Sequence, residues 1–275
     1  MNGCQRVLWC ALGLLAAASA RADWQQGDPY KMHYPQLPDP QGWDVAFDAL
    51  IAEGSYRGPL GDDWECTQSG IVNDIHLWVS FREDQAPAGQ EYVAGFVEIY
   101  SNSPAGEGYD DSRPNQRLWG MGFDTNQAHA KLQAYGTGAQ GWYEPFHQVS
   151  VRPDHEQYYQ VNITKIASVV EQPFEQTQGS IYWLVSHMMV LDQQGNRVDG
   201  KRIGWKSSLS TQFMDDAVYG NPSPVGPMGT PIVDPATGAS LDLAFVITGV
   251  PEPSALWLLL LGGLASRLPQ TRRAR

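Results

Sequence analysis

The sequence predicts an all-β fold, an antiparallel β-sandwich of the jelly-roll type. Three observations point to it. Several segments alternate apolar and polar residues with the period of a β-strand. Clusters of Gly, Pro, Asn and Ser separate these segments. No convincing helical pattern of ten or more residues occurs between the two chain ends, which argues against alternating strands and helices.

The clearest strand is predicted at residues 71–81. One face of this strand carries Ile75, Leu77, Val79 and Phe81, and the other carries Asp74, His76, Trp78 and Ser80. Further strands are predicted where β-branched and aromatic residues concentrate, at residues 92–100, 158–166, 181–191 and 241–248.

The remaining segments are predicted to connect these strands. Residues 23–41 are rich in proline and aromatic side chains and are expected to lie extended across the surface. Residues 101–114 contain a turn cluster followed by a loop rich in Gly and Asp. Residues 43–52 are compatible with one short helix.

Residues 1–22 have the features of a secretory signal peptide. Arg6 precedes an apolar run at residues 7–18, and small residues surround a cleavage site expected after Ala22. The chain is therefore expected to be exported as one domain at residues 23–249, with Cys66 as its only cysteine and no internal disulfide.

The C-terminal segment, residues 250–275, has three parts in a fixed order. Pro251, Glu252 and Pro253 come first, an uncharged leucine-rich run at residues 254–266 follows, and the basic residues Arg267, Arg272, Arg273 and Arg275 end the chain. The run predicts a short hydrophobic helix of about 20 Å, which is shorter than the ~30 Å bilayer core. A basic cluster behind such a helix favours the cytoplasmic side of a membrane.

This tail resembles a PEP-CTERM sorting signal, the C-terminal tag of exported bacterial proteins. The resemblance implies that the partner is an exosortase-type membrane transpeptidase and that the inner membrane holds the precursor transiently through the C-terminal helix. It also implies that the processed protein reaches the cell envelope, the cell surface or the extracellular matrix. A buried or amphipathic C-terminal helix is the alternative.

Several tryptophan-containing motifs between the two terminal signals carry a second resemblance. In chain order they include Gly42-Trp43-Asp44-Val45, Asp62-Asp63-Trp64-Glu65-Cys66, Asn73-Asp74-Ile75-His76-Leu77-Trp78, Gly204-Trp205-Lys206-Ser207-Ser208 and Ser240-Leu241-Asp242-Leu243-Ala244-Phe245. This succession resembles a domain of unknown function in secreted bacterial proteins and would span residues 24–249. The resemblance implies no activity and no functional residues.

Charge and motif content limit the function classes. Residues 23–250 contain 12 basic and 29 acidic residues, a net charge of −17, which excludes an ordinary nucleic-acid-binding surface. The sequence has no phosphate loop, zinc-protease helix, nucleophile elbow or dinucleotide fingerprint. We therefore expect a binding or structural protein. The rival is a secreted polysaccharide-acting enzyme with two catalytic carboxylates.

Two acidic pairs are the candidate metal ligands. Asp62 and Asp63, and Asp215 and Asp216, each border an apolar stretch, and clustered carboxylate oxygens suit calcium. The alternative is that these aspartates only cap turns, because Asp side chains often bond to nearby main-chain N–H groups. No cofactor is otherwise expected.

Aromatic residues suggest extracellular polysaccharide as the ligand class. Eight tryptophans remain after removal of both terminal signals. Trp78 is the one for which exposure is most expected, because it shares the polar face of its predicted strand with Asp74 and His76. Packing in the core is nevertheless the leading expectation for each tryptophan, Trp78 included, because it is the usual role of so large a side chain.

Overall fold

A computed structural model of the chain describes residues 24–47, 58–106, 109–209, 213–220 and 229–249. The predicted signal peptide, the sorting motif and the C-terminal hydrophobic and basic segments lie outside the described residues. Among the described residues, no helix is long and apolar enough to cross a membrane.

The described chain is mostly β-structure. In chain order the strands are β1 (Trp43–Ala46), β2 (Leu60–Glu65), β3 (Gly70–Phe81), β4 (Tyr92–Ser103), β5 (Arg113–Asp124), β6 (Ala130–Glu144), β7 (Val149–Ile163), β8 (Glu175–Gln176), β9 (Ile181–Leu191), β10 (Ile203–Lys206), β11 (Val218–Tyr219), β12 (Thr230–Pro231) and β13 (Phe245–Gly249). Helical structure within the described ranges is confined to α1 (Ile166–Val169) and a 3-10 turn (Arg82–Asp84).

The strands form two sheets. The six-stranded sheet has the order β12-β11-β2-β9-β4-β5 and is antiparallel at every pairing. The seven-stranded sheet has the order β10-β1-β6-β7-β3-β13, with the short β8 added to β3. Its β1–β6 pair is parallel, whereas its other pairings are antiparallel. The predicted all-β architecture is confirmed at this level of two sheets.

The seven-stranded sheet closes on itself. Strand β10 pairs with β1 along one edge and with β3 along the other. The path β10-β1-β6-β7-β3 therefore returns to β10 and forms a ring of five hydrogen-bonded strands. Closure pairs both edges of a four-residue strand, which would otherwise leave unpaired main-chain groups.

A buried polar network fills this ring. Each of the five strands contributes one side chain with at most 2% of its surface exposed: Asp44, Ser80, Gln140, His155 and Lys206. The Asp44 carboxylate accepts hydrogen bonds from Lys206 Nζ at 3.1 Å and from His155 Nε2 at 3.0 Å. Lys206 also donates to Gln140 Oε1, which accepts a further bond from Ser80.

The charges of the network are matched within it. Burial alone would raise the pKa of Asp44, but Lys206 and His155 hold it below its usual value. Burial would lower the pKa of His155, but its hydrogen bonds and charge interactions with Asp44 and Asp154 raise it. Because buried charges persist only when they are paired, the network is a structural element of the ring.

The two sheets share one hydrophobic core. Buried side chains of β3 and β7 join those of β4 and β9 in a single cluster. Trp64 of the six-stranded sheet and Phe245 of the seven-stranded sheet contact edge to face, with ring centroids 6.0 Å apart. Seven of the eight tryptophans outside the terminal signals are at most 5% exposed, so the core role applies to nearly all of them.

Two local predictions are wrong. Residues 43–46 form strand β1 and not the start of a helix, because β10 and β6 satisfy the main-chain groups on both of its sides. The segment before β1 is not confined to the surface. Met32 and Gln36 are buried and form bridges to Cys66 and Phe245, so this segment covers the end of the core.

Candidate functional site

An uncharged cleft of about 400 Å³ lies where the N-terminal segment meets β6 and β7. We call it the glutamine–tyrosine cleft, and it is lined by Trp24, Gln25, Gln26, Gln133, Ala134, Tyr135 and Gln160. None of these residues is charged, although residues 23–250 carry a net charge of −17. The cleft is therefore suited to a ligand that presents no net charge.

Two aromatic rings, those of Trp24 and Tyr135, line this cleft and pack on a third, Trp78. Trp78 of β3 is fully buried and contacts Trp24 and Tyr135 edge to face, at centroid distances of 6.0 Å and 5.3 Å. Tyr135 also packs against Tyr158, with centroids 5.8 Å apart. These contacts hold Tyr135 in place while 38% of its surface stays exposed. A positioned, half-exposed tyrosine offers apolar ring surface and a hydroxyl together.

Amide side chains provide the polar groups of the cleft. Gln160 is buried and donates from Nε2 to the Trp24 carbonyl at 3.0 Å, which fixes the N-terminal segment against β7. Gln25 and Gln26 project from a tight turn that Asp28 closes by accepting a bond from the Gln25 N–H. Each amide offers two donors and one acceptor, a set that suits the hydroxyl groups of a sugar.

A second candidate site is an acidic cluster where the two sheets meet, consisting of Asp62, Asp63, Asp215, Asp216 and Asp242. Strand β2 carries Asp62 and Asp63, and Asp62 accepts a bond from the Leu243 N–H at 2.6 Å. Asp242 accepts a bond at 2.9 Å from the N–H of Phe213, and Phe213 precedes Asp215 by two residues. Strand β11, which follows Asp216, pairs with β2. The fold therefore brings the two predicted acidic pairs together and adds Asp242.

The members of this acidic cluster are bonded differently. Asp62 accepts from the Asp63 and Leu243 N–H groups, and Asp215 accepts from the Ser112 N–H at 2.8 Å, as expected of caps. Both carboxylate oxygens of Asp63 are buried without a hydrogen-bond partner, and so is Oδ1 of Asp242. Among the described residues, no Lys, Arg or His forms an ion pair with a member of the cluster.

Burial and neighbouring charge make Asp62, Asp63 and Asp242 hard to ionise. Burial raises the pKa of Asp62 and of Asp63, and the Asp242 charge raises both further. The pKa of Asp242 itself is raised to about 7, mainly by burial. Burial, with a smaller contribution from the Asp242, Asp62 and Asp63 charges, raises the pKa of Tyr34 to about 12. His33 adds no compensating charge, because burial lowers its pKa to about 4.

Asp242 also lines a polar cleft of about 340 Å³. Asp39 and Asp234 also line this cleft, and their carboxylates accept main-chain N–H bonds in their own turns. Trp43 lines the same cleft, with the Arg152 guanidinium 5.3 Å from its ring centroid. Asp242 is therefore the member of the acidic cluster that lines this cleft.

The sequence comparison identifies the family. Residues 32–248 match a family model described as a domain of unknown function, DUF7901. The chain belongs to the DUF7901 family. No curated protein and no solved structure matches the chain significantly. The expected resemblance to a domain of unknown function is thus confirmed, and the comparison contains no evidence on the sorting signal.

The DUF7901 domain does not expose the predicted aromatic site. Trp78 has no exposed surface because Trp24 and Tyr135 cover it, so its candidate role as an exposed ligand platform is wrong and the core packing expected of most tryptophans applies to it. His76 is also buried, and its Nδ1 lies 2.5 Å from Asn162 Oδ1. Asp74 accepts hydrogen bonds from the Lys165 N–H and the Thr248 hydroxyl. These three side chains have structural contacts, and Trp78 supports the neighbouring cleft from beneath.

Sequence reasoning predicted four members of the acidic cluster of the DUF7901 domain, but it missed Asp242 and the glutamine–tyrosine cleft. Asp242 had a detectable signal, because it is a lone acid within the apolar stretch at residues 241–247. The cleft glutamines had none: Gln25, Gln133 and Gln160 are more than 25 residues apart and converge only through the fold.

Proposed function

We propose that this DUF7901 chain is an exported protein of the cell envelope or extracellular matrix that binds neutral polysaccharide. The glutamine–tyrosine cleft is the binding site in this proposal. The finer architecture that we propose is a jelly-roll-like antiparallel sandwich, which the two sheets with their shared core support.

One observation carries the choice of ligand. A strongly acidic chain has a cleft lined entirely by amides, aromatic rings and an alanine. Sugar rings present apolar C–H faces and a rim of hydroxyl groups. The apolar faces match the exposed part of Tyr135, and the hydroxyls match the amides of Gln25, Gln26 and Gln133. An acidic polysaccharide would be repelled by the charge of the domain.

The predicted terminal signals support the proposed location. Residues 1–22 would direct export and be removed, and residues 250–275 would hold the precursor in the inner membrane until an exosortase-type enzyme cleaves it. The resulting protein would remain in the envelope, at the surface or in the surrounding polymer, where polysaccharide is its ligand.

Replacing Tyr135 by alanine should weaken binding to a neutral glycan about tenfold or more, because the cleft loses its exposed ring. The ligand is found on a glycan array probed with the full-length chain. The affinity of wild type and variant for that glycan is then measured by calorimetry.

Tyr109→Ala is the matched control, because Tyr109 is 37% exposed and lies outside the cleft. Its affinity should equal that of wild type. Equal affinities in both variants, or binding restricted to acidic glycans, would contradict the proposed site.

Changing Pro251, Glu252 and Pro253 together to alanine should leave an unprocessed, membrane-associated precursor. The physical reason is that the hydrophobic run and arginines still enter the membrane, whereas the recognition motif is gone. Immunoblots of membrane and extracellular fractions measure the outcome. Normal maturation of this variant would show that the tail is not a sorting signal.

A polysaccharide hydrolase remains the second candidate. The polar cleft favours it, because Asp242 has a pKa raised to about 7 and lines this cleft together with Asp39, Asp234 and Trp43. A carboxyl group that stays protonated near neutral pH can serve as a general acid. Release of reducing ends from a glycan that the chain binds, abolished by Asp242→Asn, would favour this function over binding alone.

A further inference from the structure

We propose that the acidic cluster binds a hydrated divalent cation, with the carboxylates of Asp63 and Asp242 as its protein ligands. The inference does not depend on polysaccharide binding, because the glutamine–tyrosine cleft shares no residue with this cluster.

The unpartnered oxygens indicate a ligand. Asp63 has no exposed surface and both of its carboxylate oxygens lack a hydrogen-bond partner, as does Oδ1 of Asp242. Buried carboxylate oxygens are ordinarily bonded, since leaving them unsatisfied costs free energy. The carboxylates that act most strongly on Asp63 are those of Asp242 and Asp215, so the free oxygens belong to one electrostatic unit.

Neutral oxygens beside the cluster also lack partners. The Gln36 side chain donates from Nε2 to the Asp63 carbonyl at 3.1 Å, and its own Oε1 is buried and unpartnered. The hydroxyl oxygen of Ser112 is also buried without a hydrogen-bond partner, while the Ser112 N–H donates to Asp215. Amide and hydroxyl oxygens are acceptors that hard cations use together with carboxylates.

The geometry limits what kind of cation fits. Within the described ranges, no three His, Cys, Asp or Glu side chains form a ready-made metal-ligand group. Asp62 and Asp215 direct their oxygens to main-chain N–H groups, and Asp216 is hydrogen-bonded to Ser240. Asp63 and Asp242 remain, and they suit an ion held by two carboxylates that keeps several waters, which the polar cleft at Asp242 can supply.

The positive charges nearest the cluster are engaged elsewhere. Arg113 pairs with Asp111, next to Ser112, and Arg152 lies over the Trp43 ring in the polar cleft. Tyr34 and His33 also lie near the carboxylates, and His33 accepts the Glu65 N–H through Nδ1 and is uncharged. None of these side chains forms an ion pair with a member of the cluster, so neutralisation must come from protons or from a cation. The two possibilities differ in their response to pH, because a cation must displace the protons that occupy the carboxylates at low pH.

The test measures thermal unfolding of the full-length chain by tryptophan fluorescence at pH 7.5. The chain is compared in chelator, in millimolar CaCl₂, in millimolar MgCl₂ and in NaCl of matched ionic strength. We expect either divalent cation to raise Tm by several degrees beyond NaCl, because a ligand that binds only the folded state stabilises it. Asp63→Asn should abolish this shift, whereas the exposed control Asp199→Asn should keep it.

Calorimetric titration of the unmodified chain with CaCl₂ keeps the test decisive if Asp63→Asn fails to fold. Binding should be at least tenfold weaker at pH 5 than at pH 7.5 and should release protons at pH 7.5. No binding at pH 7.5, a Tm shift equal to that in NaCl, or a shift that survives in Asp63→Asn would overturn the proposal. Loss of glycan binding in Tyr135→Ala would test the polysaccharide site alone and would leave the cation site unaffected.

Discussion

Replacing Lys206 by methionine should lower the free energy of unfolding by about 3–5 kcal/mol. Lys206 is fully buried, and its ammonium bonds to Asp44 and Gln140 inside the ring of five strands. Methionine fills a similar volume but leaves the Asp44 carboxylate with a buried charge that only His155 can partly offset. Guanidinium denaturation followed by tryptophan fluorescence measures the loss.

Two further variants separate charge pairing from packing. Lys206→Met combined with Asp44→Asn removes both charges, keeps an acceptor for His155 and should recover much of the lost stability. Lys201→Met breaks the partly exposed pair with Glu91 and should cost at most about 1 kcal/mol. A double variant no more stable than Lys206→Met would contradict the role given to charge pairing in the ring.

The strands that pack in the shared core show where sequence reasoning succeeds. Predicted strands at residues 71–81, 92–100 and 181–191 agree with β3, β4 and β9, because each has one face in the shared core. A strand with one buried face alternates apolar and polar residues, and a strand buried on both faces is a continuous apolar run. Burial in the core is therefore the physical origin of the sequence pattern.

Strands β5 and β6 carry no such pattern, and sequence reasoning missed both. Most of their residues are at least partly exposed, and β6 is rich in Gly, Gln and Ala. Their strand structure comes from pairing with β4 and β7. Burial of apolar side chains gives a strand its two-residue period of apolar residues, and such burial contributes little in β5 and β6.

Long-range register also decides what the sites contain. Asp44, Gln140 and Lys206 meet only because β1 pairs with both β6 and β10. A single sequence does not encode such pairings locally, so the polar network was not predictable. The acidic pairs were visible as pairs, but their meeting with Asp242 required the β2–β11 pairing and the Asp62–Leu243 bond.

A large pH-dependent effect should come from Asp242→Asn, which we expect to stabilise the domain above neutral pH. The folded state holds a proton on Asp242 up to about pH 7, whereas the unfolded chain releases it near the ordinary value of 3.8. The folded state therefore binds more protons between these values, and the contribution of Asp242 to stability falls as pH rises. The accumulated loss is on the order of 4 kcal/mol at pH 8, and asparagine avoids it.

The measurement is the difference in unfolding free energy between Asp242→Asn and wild type from pH 4 to pH 8, with chelator present. A difference is required because burial lowers the pKa of His33 and of His187 to about 4. Those two histidines make stability rise with pH between about 4 and 6.5, which opposes Asp242 in the wild-type curve but cancels between the two proteins. The variant should match wild type near pH 4 and exceed it increasingly toward pH 8, while the exposed control Asp199→Asn stays level throughout. A difference that does not change with pH, or a variant less stable at pH 8, would mean that Asp242 is ionised at little cost and that the cluster is solvated in the folded protein.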